Sequence, residues 1–128
     1  MDFNGNTGPF IQYTYARIRS VLRKAEEQKI AGEMSPGLQP IDKEIDLIKL
    51  LARFPDIVES AFTELNPSLI ANYSFELAKE YNQFYHDHSI LSAETRQQVK
   101  FRLVLSDVTA RVFRTAFELL GIDVPERM

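Results

Sequence analysis

Basic side chains cluster towards the C-terminal end of this 128-residue sequence, where they could bind phosphate. Residues 95–115 carry five basic residues and one acidic residue, whereas residues 41–80 carry eight acidic residues and four basic ones. Such a patch acts over about 8–10 Å, because dissolved salt screens it beyond that range. The phosphate-binding candidates in this stretch are Arg96, Lys100, Arg111 and Arg114. The alternative is a solvated helix face that binds nothing.

A helix through this stretch would place the four candidates on one face. Positions 96, 100, 107, 111 and 114 follow helical steps, whereas Arg102 falls on another face. The net charge of the whole chain is −3, so attraction of nucleic acid to the entire surface is not expected. Any phosphate contact would therefore be local.

The other residues with chemical potential form incomplete sets. His86, Asp87 and His88 could contribute to a metal site, but alternating residues in a short polar loop imply no further ligand. Ser89 follows His88 in sequence, which is not the geometry of a nucleophile and its base. The GNTG segment lacks the lysine and the preceding strand of a phosphate-binding loop. These features favour a binding module over a catalyst.

Helical periodicity predicts the elements that carry these residues. A first helix begins at a Thr7 cap with Pro9 in its first turn, fades near Gly32 and is followed by a loop over residues 32–40. A second helix begins at Asp42 as N-cap and ends or bends at Pro55.

Three further helices follow in the pattern. The third covers residues 56–65, and Asn66-Pro67 then restarts the chain as a fourth helix that leads into a connection at residues 85–91. The longest, of about 29 residues at 1.5 Å each, begins at a Ser92 cap and ends at Gly121. The predicted fold is therefore an all-α bundle of about five helices forming one domain, residues 1–128.

Composition agrees with a small folded domain. Hydrophobic residues make up 45% of the chain, which is enough for one core. Cysteine is absent, which excludes disulfides and weakly favours a reducing compartment. No apolar run approaches the roughly 18 residues of a membrane span, and no signal peptide is recognisable. We expect a cytoplasmic chain, or a piece of a cytoplasmic protein, without a membrane partner.

Three motifs in the correct order resemble arginyl-tRNA synthetases. The N-terminal motif is GNTGPFIQYTYARIRSVLRKA, which is similar to the family's GNTGPYxQYxxxRxxSxxRK segment. The C-terminal motif is FELLGIDVPERM, similar to LLGIxxPERM, and the middle of the chain resembles PxxxxxYxxxLAxxFxxFY. The departures are small: Phe10 stands where Tyr is more common, and Tyr15 replaces a common His.

The resemblance implies the C-terminal helical anticodon-binding (DALR-type) domain of such an enzyme. Residues 1–9 would then enter from a preceding catalytic domain, because signatures like HIGH and KMSK are absent from the sequence. The implied function is recognition of the anticodon arm of arginine tRNA. ATP and Mg would belong to that catalytic domain, with no cofactor here, and the chain alone would be inactive. The alternative is a helical protein-interaction module without tRNA function.

The resemblance also implies two contacts with loop bases. Tyr85 would stack on a base of the anticodon loop, and Met128 beside Arg127 would make a second contact. The alternatives are a core aromatic for Tyr85 and a frayed terminus for Met128. In the first helix Arg17, Arg19 and Arg23 are expected to face solvent or the catalytic domain. Tyr13 and Tyr15 are expected to pack within the bundle or at that boundary.

Overall fold

The computed structural model describes residues 7–124, which form an all-α bundle. The five helices of this part are α1 (Thr7–Glu27), α2 (Asp42–Ala52), α3 (Phe54–Thr63), α4 (Ser68–Asp87) and α5 (Arg96–Leu120). This confirms the predicted fold class. None of these helices is both long enough and apolar enough to cross a membrane.

The core lies where α1, α4 and α5 pack on one another, with α2 against α4 and α5 and with α3 against α4. The largest fully buried side chains are the aromatic residues Tyr15, Tyr81, Phe84, Phe113 and Phe117. Each comes from one of the three central helices, so the aromatic rings join them. Burying a ring of this size stabilises the fold by about 1.5–3 kcal/mol relative to leaving it exposed.

Two buried tyrosines keep their hydroxyl groups satisfied inside this core. Tyr81 Oη lies 2.8 Å from Ser106 Oγ, which joins α4 to α5. Tyr73 Oη donates to the Leu50 carbonyl oxygen at 2.6 Å, which joins α4 to α2. Burial raises the pKa of both phenols well above the ordinary tyrosine value, so both stay neutral.

The start of α2 differs by one residue from the predicted N-cap. Asp42 is the first helical residue, and Ile41 is the cap. Ile41 has no side-chain acceptor, but Glu44 reaches back and its Oε1 accepts the Ile41 N–H at 2.8 Å. The predicted break at Pro55 is present. α2 ends at Ala52, and the proline lies in the first turn of α3, where a missing N–H costs little.

The predicted cap of the last helix is wrong. α5 begins at Arg96, and its cap is Thr95, whose Oγ1 accepts the Gln98 N–H at 3.1 Å. Gln98 Oε1 accepts the Thr95 N–H at 3.3 Å, which completes a reciprocal capping box. Ser92 precedes the helix, so α5 has 25 residues rather than about 29. Gly121 ends it in the left-handed conformation, with φ of 72°, as predicted.

Replacing Thr95 with alanine should lower the free energy of unfolding by about 1 kcal/mol, because the Gln98 N–H loses its acceptor. Ser92→Ala is the matched control and should change it by less than about 0.5 kcal/mol. Urea denaturation of the two variants checks this. Equal losses from both would contradict the assignment of the cap.

Candidate nucleic-acid interface

The four predicted phosphate candidates lie along α5 but are not gathered into one pocket. Lys100 Nζ is 3.3 Å from Glu33 Oε2, and Arg111 Nε is 3.0 Å from Asp107 Oδ2. Arg114 donates to Tyr15 Oη at 2.8 Å, which ties α5 to α1. Arg96 is exposed at the first turn of the helix. Neighbouring carboxylates therefore offset part of the positive charge of this face.

Arg102 contributes nothing to that face, as its helical position predicted. It is buried, and its Nε donates to Glu44 Oε2 at 2.8 Å. Arg127 and Met128 lie outside the described residues, so their predicted contacts stay predictions.

Tyr85 lies near the C-terminal end of α4, at the edge of the core. Its neighbours Tyr81 and Phe84 are fully buried, whereas Tyr85 is 36% exposed. The Arg17 guanidinium of α1 lies 4.4 Å from the centre of the Tyr85 ring. The alternative of a core aromatic therefore does not describe this ring, which is a surface platform beside a cation.

Arg17 is held in place by partners on two helices. Its Nη1 donates to Asn82 Oδ1 at 2.6 Å, and its Nη2 donates to Tyr13 Oη at 2.7 Å. The Asn82 amide is oriented in turn, because its Nδ2 donates to Thr14 Oγ1 at 2.6 Å and to the Ala78 carbonyl at 2.9 Å. The guanidinium also lies 5.0 Å from the centre of the Tyr13 ring. Arg17 is thus a fixed cation between two rings.

Two adjoining cavities border Tyr85, and together they form what we call the α1/α4 groove. The first, of about 440 Å³, is lined by Tyr13, Arg17, Ser20, Arg23, Lys24 and Tyr85. The second, of about 310 Å³, is lined by Lys24, Tyr85, His86, Ser89, Ile90 and Leu91. Tyr85 and Lys24 line both cavities, so an aromatic ring and an ammonium group are accessible from either part of the groove.

This combination of groups suits single-stranded nucleic acid. Every base has a flat face that stacks on an aromatic ring or a guanidinium plane, and phosphate oxygens bind arginine and lysine. Tyr85 and Arg17 provide the flat surfaces, and Lys24 provides a nearby positive charge. Stacking and charge attraction therefore make binding of single-stranded nucleic acid a chemistry that the groove supports.

The structure separates the two tyrosines of α1, and the expected boundary with a catalytic domain stays a prediction for Tyr13. Tyr15 is 1% exposed and packs within the bundle as expected, but Tyr13 is 46% exposed and lines the groove. Arg17 does not face solvent alone, since its guanidinium lies over the Tyr85 ring, and its contact with a catalytic domain stays a prediction. A signal was present: positions 13, 17, 20 and 24 follow steps of four, three and four, which is one helical face.

The HDH segment does not collect a set of metal ligands in the described part of the chain. Residues 7–124 contain no group of three histidine, cysteine, aspartate or glutamate side chains placed to hold an ion. His86 lines the second cavity, and the His88 ring lies 5.7 Å from that of Phe84. The metal-site hypothesis therefore lacks a donor set there.

The fold and the groove define the class: an all-α domain with a surface groove lined by aromatic and basic side chains. A family model described as the DALR anticodon binding domain matches residues 11–128. The chain belongs to this family.

The similar proteins are arginyl-tRNA synthetases. The arginine–tRNA ligase of Phocaeicola vulgatus is 58% identical over all of this chain, which covers 22% of that protein. That of Parabacteroides distasonis is 53% identical over the whole chain, again 22% of the protein. The arginyl-tRNA synthetase structure from Thermus thermophilus superimposes with a TM-score of 0.85 at 33% identity, covering 99% of this chain and 22% of that one.

These matches confirm the resemblance to arginyl-tRNA synthetases and do not favour a protein-interaction module without tRNA function. The chain spans only about a fifth of the length of these relatives.

Proposed function

We propose that this chain is the tRNA-binding domain of an arginyl-tRNA synthetase and that it binds the anticodon arm of arginine tRNA. The observation that carries the proposal is the α1/α4 groove, in which the Arg17 guanidinium lies over the Tyr85 ring, with Lys24 also lining the groove. Membership of an anticodon-binding family supports the choice of RNA over other anions.

In this proposal an unpaired base of the anticodon loop stacks on Tyr85, while Arg17 and Lys24 attract the adjacent phosphates. The buried Tyr81 ring lies beside Tyr85, with ring centres 6.4 Å apart and planes tilted by 33°, and limits its movement. The remaining contacts of the proposal are phosphate contacts from α5 and contacts near the C-terminus. Their residues are Arg96, Lys100, Arg111, Arg114, Arg127 and Met128.

The chemical step would belong to the rest of a longer polypeptide. The 128 residues contain no HIGH-like or KMSK-like signature, so activation of arginine with ATP and Mg would take place in an attached catalytic domain. We propose that this chain is inactive alone, that it packs against that domain, and that the enzyme is cytoplasmic. An aminoacylation assay of the chain alone, and of a polypeptide that includes a catalytic domain, tests this. Only the longer polypeptide should be active.

Tyr85→Ala should weaken binding of the anticodon stem-loop of arginine tRNA by about tenfold or more, because one stacked base contributes roughly 1–3 kcal/mol. A filter-binding titration at several salt concentrations measures the dissociation constant. Binding by the unaltered chain should weaken steeply with added salt, as phosphate contacts require.

Phe62→Ala is the matched control for Tyr85→Ala. Phe62 is an exposed aromatic residue on α3 that does not line the groove, so its removal should leave the dissociation constant unchanged. If the two variants bind the RNA equally well, Tyr85 is not the stacking residue. If the unaltered chain binds neither the stem-loop nor whole tRNA, the proposed function is wrong.

A further inference from the structure

A buried ion pair behind the α1/α4 groove joins α2 to α5. Arg102 Nε lies 2.8 Å from Glu44 Oε2, and the two side chains are only 7% and 3% exposed. Removing two charges from water is costly, and their attraction repays that cost only when the geometry is good and further hydrogen bonds complete it. The contacts around the pair therefore indicate what it does.

Four parts of the chain meet at this pair: α2, α4, the connection between α4 and α5, and α5 itself. Glu44 Oε1 accepts the Ile41 N–H at 2.8 Å, which holds the first turn of α2. Arg102 Nη1 donates to the Ser89 carbonyl oxygen at 2.7 Å, in the connection between α4 and α5. The guanidinium also lies 5.6 Å from the centre of the buried Phe84 ring. Arg102 is thus fixed by α2 and in turn holds the α4–α5 connection.

The segment that Arg102 holds is a wall of the groove. Residues 89–91 line the second cavity together with Tyr85. This segment lies between the end of α4 and the start of α5, so helical hydrogen bonds do not set its position. Its short-range support is a turn in which Ser89 Oγ accepts the Ser92 N–H at 2.9 Å. Ile90 packs into the core, and the Arg102 bond to Ser89 ties the exposed end of this wall to α5.

We propose that Arg102, oriented by Glu44, is a positioning residue for RNA binding: it sets the 89–91 wall of the groove against Tyr85. The inference rests on the proposed function and extends it to a residue that does not itself line the groove. A displaced wall changes the width of the cavity beside the ring on which the base stacks. Arg102 acts through Ser89 and makes no phosphate contact.

The double variant Glu44→Gln/Arg102→Met tests the proposal in the full 128-residue chain. It removes both charges together, keeps a side-chain acceptor for the Ile41 N–H, and loses the bond to Ser89. The expected result is a folded protein whose amides at 89–92 exchange with solvent at least about tenfold faster. The dissociation constant for the anticodon stem-loop should rise about tenfold, as for loss of one stacked base.

The salt dependence of binding separates positioning from direct contact. Loss of one phosphate contact would reduce the slope of log affinity against log salt by about 0.7 on single-stranded RNA, whereas a positioning residue leaves the slope unchanged. Tyr73→Phe is the matched control, because it deletes another buried hydrogen bond that is remote from the 89–91 wall. It should change neither the exchange at 89–92 nor the dissociation constant.

Each result has a defined meaning. Faster amide exchange at 89–92 with unaltered RNA binding overturns the positioning role. Unaltered exchange overturns the link between Arg102 and the 89–91 wall. A reduced salt slope makes Arg102 a phosphate ligand instead. If the double variant does not fold, Arg102→Lys keeps a buried cation for Glu44 without the forked donor, and the same two measurements apply. Absence of RNA binding by the unaltered chain overturns the proposed function, and the exchange measurement still tests the link.

Discussion

Replacing Arg102 alone with methionine should lower the free energy of unfolding by about 3–5 kcal/mol, because it leaves the Glu44 carboxylate buried without its counter-charge. The Ser89 carbonyl oxygen loses its donor in the same variant. Since small domains are stable by only about 5–15 kcal/mol, this loss is a large fraction of the total. The midpoint of urea denaturation and its slope measure the change.

The control for this variant is the nearby exposed pair on the same helix. Lys100→Met removes the contact with Glu33, a pair with substantial solvent exposure, and should cost less than about 1 kcal/mol. Glu44→Gln/Arg102→Met should recover most of the stability that Arg102→Met loses, because no unpaired charge stays buried. Equal stability of Arg102→Met and Lys100→Met would show that the buried pair does not have the environment described.

Replacing Arg17 with alanine should weaken binding of the anticodon stem-loop by about 10- to 100-fold. The variant removes a phosphate-binding charge and also the cation that lies against Tyr85, so charge attraction and stacking geometry are lost together. The salt slope should also fall by about 0.7, which distinguishes Arg17 from Arg102. Titration at several salt concentrations gives both numbers.

Two other variants separate the roles of Arg17. Arg53→Ala removes an exposed guanidinium that pairs with Glu76 outside the groove, and it should leave RNA binding nearly unchanged. Asn82→Ala keeps the charge of Arg17 but removes the acceptor that orients it, so it should give an intermediate loss with a normal salt slope. The assignment fails if Arg17→Ala binds as tightly as Arg53→Ala.

The helices of this protein could be predicted from sequence because their signals are local. Each signal acts within one or two helical turns. The signals are apolar residues at steps of three and four, Pro55, the Asn66-Pro67 restart and Gly121. The start of α5 was harder, since both Ser92 and Thr95 have side chains that can cap. The reciprocal hydrogen bonds between Thr95 and Gln98 show that Thr95 is the cap, and these bonds depend on geometry.

The residues of the candidate site likewise differ in how far local sequence signals reveal them. Tyr85 could be selected as a candidate because a motif at the end of a helix resembles that of a known family, and the basic residues of α5 because charge is visible in sequence. Their contacts with RNA stay predictions. The pairing of Lys100 could not be predicted, because Glu33 meets it only after the chain has folded back on itself. The described structure thus moves the emphasis from α5 to the α1/α4 groove.

By itself the sequence determined the helical class, the order of the elements and the resemblance to arginyl-tRNA synthetases, since these depend on residue types and short spacings. Only the tertiary structure decided what Arg17 and Arg102 do. Both are arginines on helices, but one meets Tyr85 and Asn82 across a surface groove while the other meets Glu44 in the core. These three partners lie more than fifty positions away along the chain, and packing of the helices brings them together.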